Sequence, residues 1–136
     1  MNMEERLEQI EKINAELRKE VDFLKFRIDL VAVKTNVNQI LYEYEINKEQ
    51  YNAIMDLMDE VRQELSNHKE YSHNEFETRI SKIFENESGL RHDYHFAEAI
   101  AQAFMEDGRW EEVFPALYGD MLKFKNYIYS MKNERR

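Results

Sequence analysis

MNMEERLEQIEKINAELRKEVDFLKFRIDLV, residues 1–31, is the stretch whose reading decides the fold of this 136-residue chain. Met3, Leu7, Ile10, Leu17, Val21, Leu24, Ile28 and Val31 recur at alternating spacings of three and four, with one polar member, Asn14. Written as heptads, Leu7, Asn14, Val21 and Ile28 fall at a, while Met3, Ile10, Leu17, Leu24 and Val31 fall at d. That is the pattern of a left-handed seam between helices. The flanking positions suit a parallel pair, in which Arg6 faces Glu11 of a second copy and Glu20 faces its Lys25. A single Asn at a favours the in-register parallel dimer, because two Asn side chains bond each other only when aligned. The competing reading keeps this helix inside a bundle of its own chain, with Asn14 at a solvated edge. On the first reading Leu7, Ile10, Asn14, Leu17, Val21, Leu24 and Ile28 are self-association residues of a homodimer or a higher oligomer.

From Phe23 the pattern changes. Phe23, Phe26, Leu30, Val33 and Val37 form a second stripe, two residues out of phase with the first and so about 200° around the helix. A helix that is apolar on opposite sides must be covered on both. The simplest arrangement sets the seam against a symmetry mate and the second stripe against the rest of the same chain. The expected boundary is a coiled-coil helix over residues 1–36 and a helical bundle over 37–136.

Downstream, helix starts are legible as caps. Asn47 with Gln50 reads as a capping box, Ile46 and Tyr51 as its hydrophobic staple, and Ser72 with Glu75 as a second box. The first opens a helix burying Tyr51, Ile54, Met58, Val61 and Leu65, flanked by Met55 and Leu57. The second opens one burying Phe76, Ile80, Ile83 and Phe84, which stops near Gly89. A further helix from about Asp93 to Glu106 presents Phe96, Ala97, Ile100, Ala101 and Phe104 and ends at Gly108. A last one carries Trp110, Phe114, Leu117, Met121, Phe124, Ile128 and Met131, with Pro115 tolerable near its beginning. The fold class is all-α, a long N-terminal coiled-coil helix continuing into a bundle of about four further helices.

Composition excludes several classes. One Pro and three Gly agree with helices throughout, and 43% apolar with 12% aromatic residues is too much for a disordered chain. No cysteine is present, so disulfides, thiolate zinc sites and thiol catalysis are out. No apolar run approaches a membrane span, and the charged start is unlike a secretory signal, so a cytoplasmic, bacterial protein with no membrane partner is expected. The formal charge of −9 is uneven: residues 1–39 carry −1, residues 40–112 carry −11 and residues 113–136 carry +3. A duplex binder needs a basic face to release counterions, and the only basic cluster is the tail Lys123, Lys125, Lys132, Arg135 and Arg136, so direct nucleic-acid binding is not expected.

No motif specifies catalysis. There is no G-x-S-x-G and no glycine-rich phosphate loop. Glu70 to His73 has the E-x-x-H spacing of di-iron bundles but occurs once and straddles a helix start. His92 and His95, around Asp93, lack a visible third ligand, and Asp93 reads better as a cap. No metal and no cofactor is expected. The acidic residues Asp56, Asp59, Glu60 and Glu64 share the outer side of one helix and suit a basic protein partner, while Tyr127 and Tyr129 fall outside the core stripe of the last helix and suit a docking surface. The expected function is non-enzymatic protein binding and self-association. Two alternatives stand beside it: a small acidic inhibitor or decoy, phage-encoded for example, occupying a basic site on a target, and a cryptic metal-dependent enzyme.

Three segments together resemble a known family. INKEQYNAIMDLMDEVRQEL (46–65), FETRISKIF (76–84) and HFAEAIAQAFMEDGRWEEVFPALYGDM (95–121) are similar in order and spacing to the YhaI-like family, small all-helical proteins of unknown function from low-GC Gram-positive bacteria. In that family a short heptad-like helix precedes a capped helix ending in an acidic E-L pair, and a later helix breaks at a Gly before an aromatic residue. Asn47 to Leu65 and Gly108 to Met121 are the matching positions. The resemblance implies a fold and no activity. This chain departs from it in a longer N-terminal coil, in the basic and Tyr-rich residues after Met121, and in Pro115.

Overall fold

The computed structural model describes residues 2–85 and 94–134. They form an all-α protein: α1 (Met3–Ala32), α2 (Asn36–Glu43), α3 (Lys48–Ser66), α4 (His73–Ile83), α5 (Tyr94–Glu106), α6 (Val113–Tyr118) and α7 (Leu122–Glu134), with no strand among the described residues. As expected from the sequence, one long N-terminal helix leads into a helical bundle. The helices after it number six among the described residues, where about four were expected.

Helix α1 starts from a reciprocal cap. Asn2 Oδ1 accepts from the Glu5 amide at 2.8 Å, and the Glu5 carboxylate accepts from the Asn2 amide at 3.3 Å. Its sequence contains no Gly or Pro, and Glu8 with Lys12 adds a favourably oriented pair one turn apart. Residues 3–22 are exposed all round, so about five turns of α1 project beyond the bundle.

Two corrections explain the extra helices. The second stripe does not run along one helix, because α1 ends at Ala32 and the extended Val33 is exposed rather than packed. Thr35 then starts α2, its hydroxyl accepting from the Asn38 amide at 3.0 Å, and Val37 is buried from this new helix. Phe26 and Leu30 do face the core as expected. The last expected helix also divides. Trp110 precedes it in a left-handed turn, and α6 closes at Gly119, whose amide donates to the Pro115 carbonyl at 2.8 Å. A Cβ on Gly119 would lie 2.3 Å from that carbonyl oxygen, so only glycine permits the approach.

Of the two capping boxes read from the sequence, the first is complete and the second lacks the return bond from Glu75 to the Ser72 amide. Asn47 and Gln50 form the full box, at 2.8 and 2.9 Å, while Ser72 accepts from the Glu75 amide at 3.2 Å. Helix α5 ends in a Schellman turn at Gly108 (φ +78°), with Arg109 N–H donating to the Phe104 carbonyl at 2.8 Å and Gly108 N–H to that of Met105 at 3.0 Å. The expected capping by Asp93 and the stop near Gly89 lie outside the described residues.

Helix α5 is the centre of the bundle, its Phe96, Ala97, Ile100, Ala101 and Phe104 all buried. Phe96 meets Tyr44 at 4.8 Å and Phe84 edge-on at 5.5 Å, joining the start of α5 to the ends of α2 and α4. The end of α5 holds the start of α2. Asp107 accepts from the Asn36 and Val37 amides, at 3.1 and 2.9 Å, and from the Asn36 side chain at 3.0 Å. With Thr35 on the third amide, the open N–H groups of α2 are satisfied and a negative charge sits at its positive end. Asp107→Ala should therefore lower stability by about 1–2 kcal/mol, read as a shift of the urea midpoint. An unchanged midpoint would show that water replaces the carboxylate without loss.

Two tyrosines make stability sensitive to alkali. Burial raises the Tyr71 hydroxyl to about 12, and burial followed by the negative charge of Glu77 pushes Tyr118 higher still. Their contribution is fully present below the ordinary tyrosine value of about 10. Above it the unfolded chain loses protons that the folded chain keeps, and stability falls as pH rises toward the folded values. Melting temperature should decline steeply between about pH 10 and 12, and Tyr118→Phe should flatten that decline. An equally steep fall in the variant would assign the effect to other groups.

Candidate association surface

The heptad seam lies along α1. Its eight apolar members, Met3, Leu7, Ile10, Leu17, Val21, Leu24, Ile28 and Val31, are between 47% and 78% exposed. Asn14 is exposed among them, and Ile13 beside it adds a further apolar side chain at 48%. The bundle takes the other side of the same helix. Leu30 is buried and Phe26 packs on Tyr51, their rings 6.1 Å apart. Arg27 pins the base: its guanidinium lies 4.0 Å from the centre of the Tyr42 ring and donates to the Tyr42 carbonyl at 3.2 Å. The bundle therefore leaves the a/d seam uncovered from end to end, as the out-of-phase stripes implied.

That exposure is costly. In proteins most of a helix's stability comes from packing its apolar face rather than from propensity, and monomeric proteins rarely expose large contiguous apolar patches. Scattered surface leucines need no explanation, but a stripe in heptad register does.

The acidic side of α3 is less free than its sequence suggests. Asp56, Asp59 and Glu60 are exposed and Glu64 half-buried, but three of the four have partners in the chain. Arg79, from α4, reaches Glu60 and Glu64, each at 3.5 Å, and its guanidinium lies over Tyr71. Asp59 accepts from the Trp110 indole N–H at 2.9 Å. Further along, Arg62 bridges to Glu112, and the hydrogen bonds from this guanidinium hold the Glu112 carboxyl below the usual carboxylate range.

Trp110 is a structural residue that helical periodicity placed in the wrong element. It sits at positive φ (46°), edge-on to Phe104 at 5.0 Å, with the Arg109 and Arg62 guanidinium groups 5.0 and 5.8 Å from its ring. Arg109 also donates to the Tyr51 hydroxyl at 2.9 Å. The loop after α5 is thus fastened to the outer side of α3 by an indole and two arginines. Of the two tyrosines expected to dock a partner, Tyr129 is exposed at 69%, whereas Tyr127 is half-buried and donates its hydroxyl proton to Glu106. Tyr127 therefore helps to hold α7 on α5, as does Lys123, which bonds the buried Glu98 at 3.0 Å.

The metal candidates lie only partly within the described residues. Glu70 is exposed, while His73 is packed on the Tyr118 ring at 5.7 Å. His92 lies outside the described residues, His95 stacks on Tyr94, and no group of three ligand side chains converges among the described residues. No described helix is long and apolar enough to cross a membrane. Compared with protein-family models, with curated proteins and with solved structures, the chain matches none.

Proposed function

We propose that this protein associates with itself through α1 and acts as a non-enzymatic binding protein whose bundle engages another protein. One observation carries the reading: a complete a/d series over Met3–Val31 stands exposed, while the bundle binds the opposite side of the same helix. Such a surface is stable when another helix covers it, and heptad register suits a second copy. The partner of the bundle is basic. Residues 40–112 carry a formal charge of −11, and within them Asp56 is exposed on the outer side of α3. Membership of the YhaI-like family, carried by the order and spacing of the helices, is part of the same proposal.

Light scattering at tens of micromolar tests the self-association. Twice the chain mass of 16.6 kDa, or a higher multiple, is expected. A strict monomer would sink the reading. Recovery of partners from the native host by pull-down, identified by mass spectrometry and followed by binding measured against salt, tests the second half. Association should slow as salt screens the attraction, and a neutral or acidic partner with no salt dependence would refute it.

A further inference from the structure

We infer that the second copy lies parallel to the first and in register, so that both bundles sit at one end of the coil, and that Arg27 and Tyr42 of each copy cover Ala32 of the other. This rests on the self-association proposed above and assigns its geometry.

An antiparallel pair could also bury the seam, since a then packs against d of the partner. Two registers keep the series aligned, and they place Asn14 opposite the partner's Leu17 or the partner's Leu24. Either way an amide is buried against a leucine with no partner for its hydrogen bonds. Each register also carries a like-charge pair on its flanks, beside attractive ones such as Glu11 with the partner's Arg18 or the partner's Lys25. One register brings Arg6 to the partner's Arg27, and in the other the two Arg18 residues meet. The parallel in-register pair has none of these conflicts. Asn14 meets Asn14, Arg6 faces the partner's Glu11, and Glu20 faces the partner's Lys25.

The base of the coil supplies the second part. Exposed apolar side chains continue beyond the projecting turns to Ile28, Val31 and Val33, and on to Tyr42 of α2, which is 42% exposed. Because Phe26 and Leu30 hold the bundle on the opposite side, two copies can meet there without collision between the bundles and the seam. In a parallel pair Arg27 at g faces the partner's Ala32 at e, the flanking slot of the lower coil that lacks an acid. Arg27 does not need one, because its charge already lies on the Tyr42 ring at 4.0 Å. That stack leaves a broad, flat surface opposite a small residue, and it brings a side chain of the bundle into the interface.

The chain has no cysteine, so Met3→Cys places a single thiol at the tip of each coil helix. Oxidation of the full-length variant should give a nearly complete covalent dimer. In an antiparallel pair the two thiols would be about 40 Å apart. A dimer by light scattering that fails to cross-link would therefore overturn the parallel arrangement while leaving self-association standing, and a monomer would overturn both. At the base, Ala32→Lys should weaken dimerisation several-fold by sedimentation equilibrium, because it sets a like charge against the partner's Arg27, and Ala32→Glu should strengthen it by a similar factor. Tyr42→Ala should weaken it about tenfold, with Tyr42→Phe restoring the ring and the affinity. Shifts of the same sign for Lys and Glu at position 32, or an unchanged dissociation constant for Tyr42→Ala, would overturn the assignment of the base.

Discussion

Substitution of both Leu17 and Leu24 by Glu is expected to convert the protein to a monomer and to unfold the projecting part of α1 while the bundle stays folded. Both residues are more than half exposed in the single chain, so nothing within the bundle depends on them. In a dimer they are four buried leucines. Each large apolar side chain lost from a core costs roughly 2–5 kcal/mol, and a carboxylate at each site adds repulsion and desolvation. The dissociation constant should rise by at least about a thousandfold. Helical circular dichroism should fall by the share of about 20 residues, since most of a helix's stability comes from packing its apolar face, while the cooperative melt of the remainder persists. Full retention of the helical signal in a monomer would mean that α1 is stable by its own propensity. Collapse of the whole signal would mean that the bundle needs the coil.

The second large effect belongs to α5. Phe96→Ala removes a fully buried ring that joins Tyr44 to Phe84, and with it the contact that holds the start of α5 to the ends of α2 and α4. A loss of about 3–5 kcal/mol is expected against a total of about 5–15 for a domain of this size. The urea midpoint should therefore move by about a fifth of its value or more, or the bundle should fail to fold at all. A shift corresponding to less than about 1 kcal/mol, below any usual cost of a buried Phe truncation, would show that Phe96 is not at the centre of the core.

How much of this was legible in the sequence depends on the range of the interaction that decides each feature. The boundaries set by neighbours three residues apart were readable. Asn47 with Gln50, Ser72 with Glu75, and Gly108 all stand where local chemistry places them. So was the division of α1 into two apolar sides, because periodicity reports directly which residues share a face. The break at Val33 was missed because Val37 continues the spacing of Phe26, Leu30 and Val33 by coincidence across two different helices. Thr35 was the available signal, a capping residue three positions before Asn38. The division between α6 and α7 was hidden in the same way by an unbroken apolar series, although Gly119 lay inside it. Features set by distant contacts had no local signature. Asp107 lies more than 70 residues from Asn36, and nothing near either residue announces their bond. The acidic side of α3 reads as solvated until Arg79 and Trp110 are seen upon it.

The junction between α1 and α2 gives the long helix a mechanical meaning. A rod of 30 residues, about 45 Å long at 1.5 Å per residue, turns any small rotation at its root into a large sweep at its end. A tilt of ten degrees about Val33 to Thr35 carries Met3 through roughly 8 Å on that length. Beside the packing of Phe26 and Leu30 on the bundle, two polar fastenings oppose such a tilt, Arg27 on Tyr42 at one side of the junction and Asp107 on the first amides of α2 at the other. Both lie far from the tip, yet they determine how accurately it is aimed. Substitutions there should be felt chiefly as lost positional precision at the far end of the arm, where residues 3–22 make no buried contact with the described bundle.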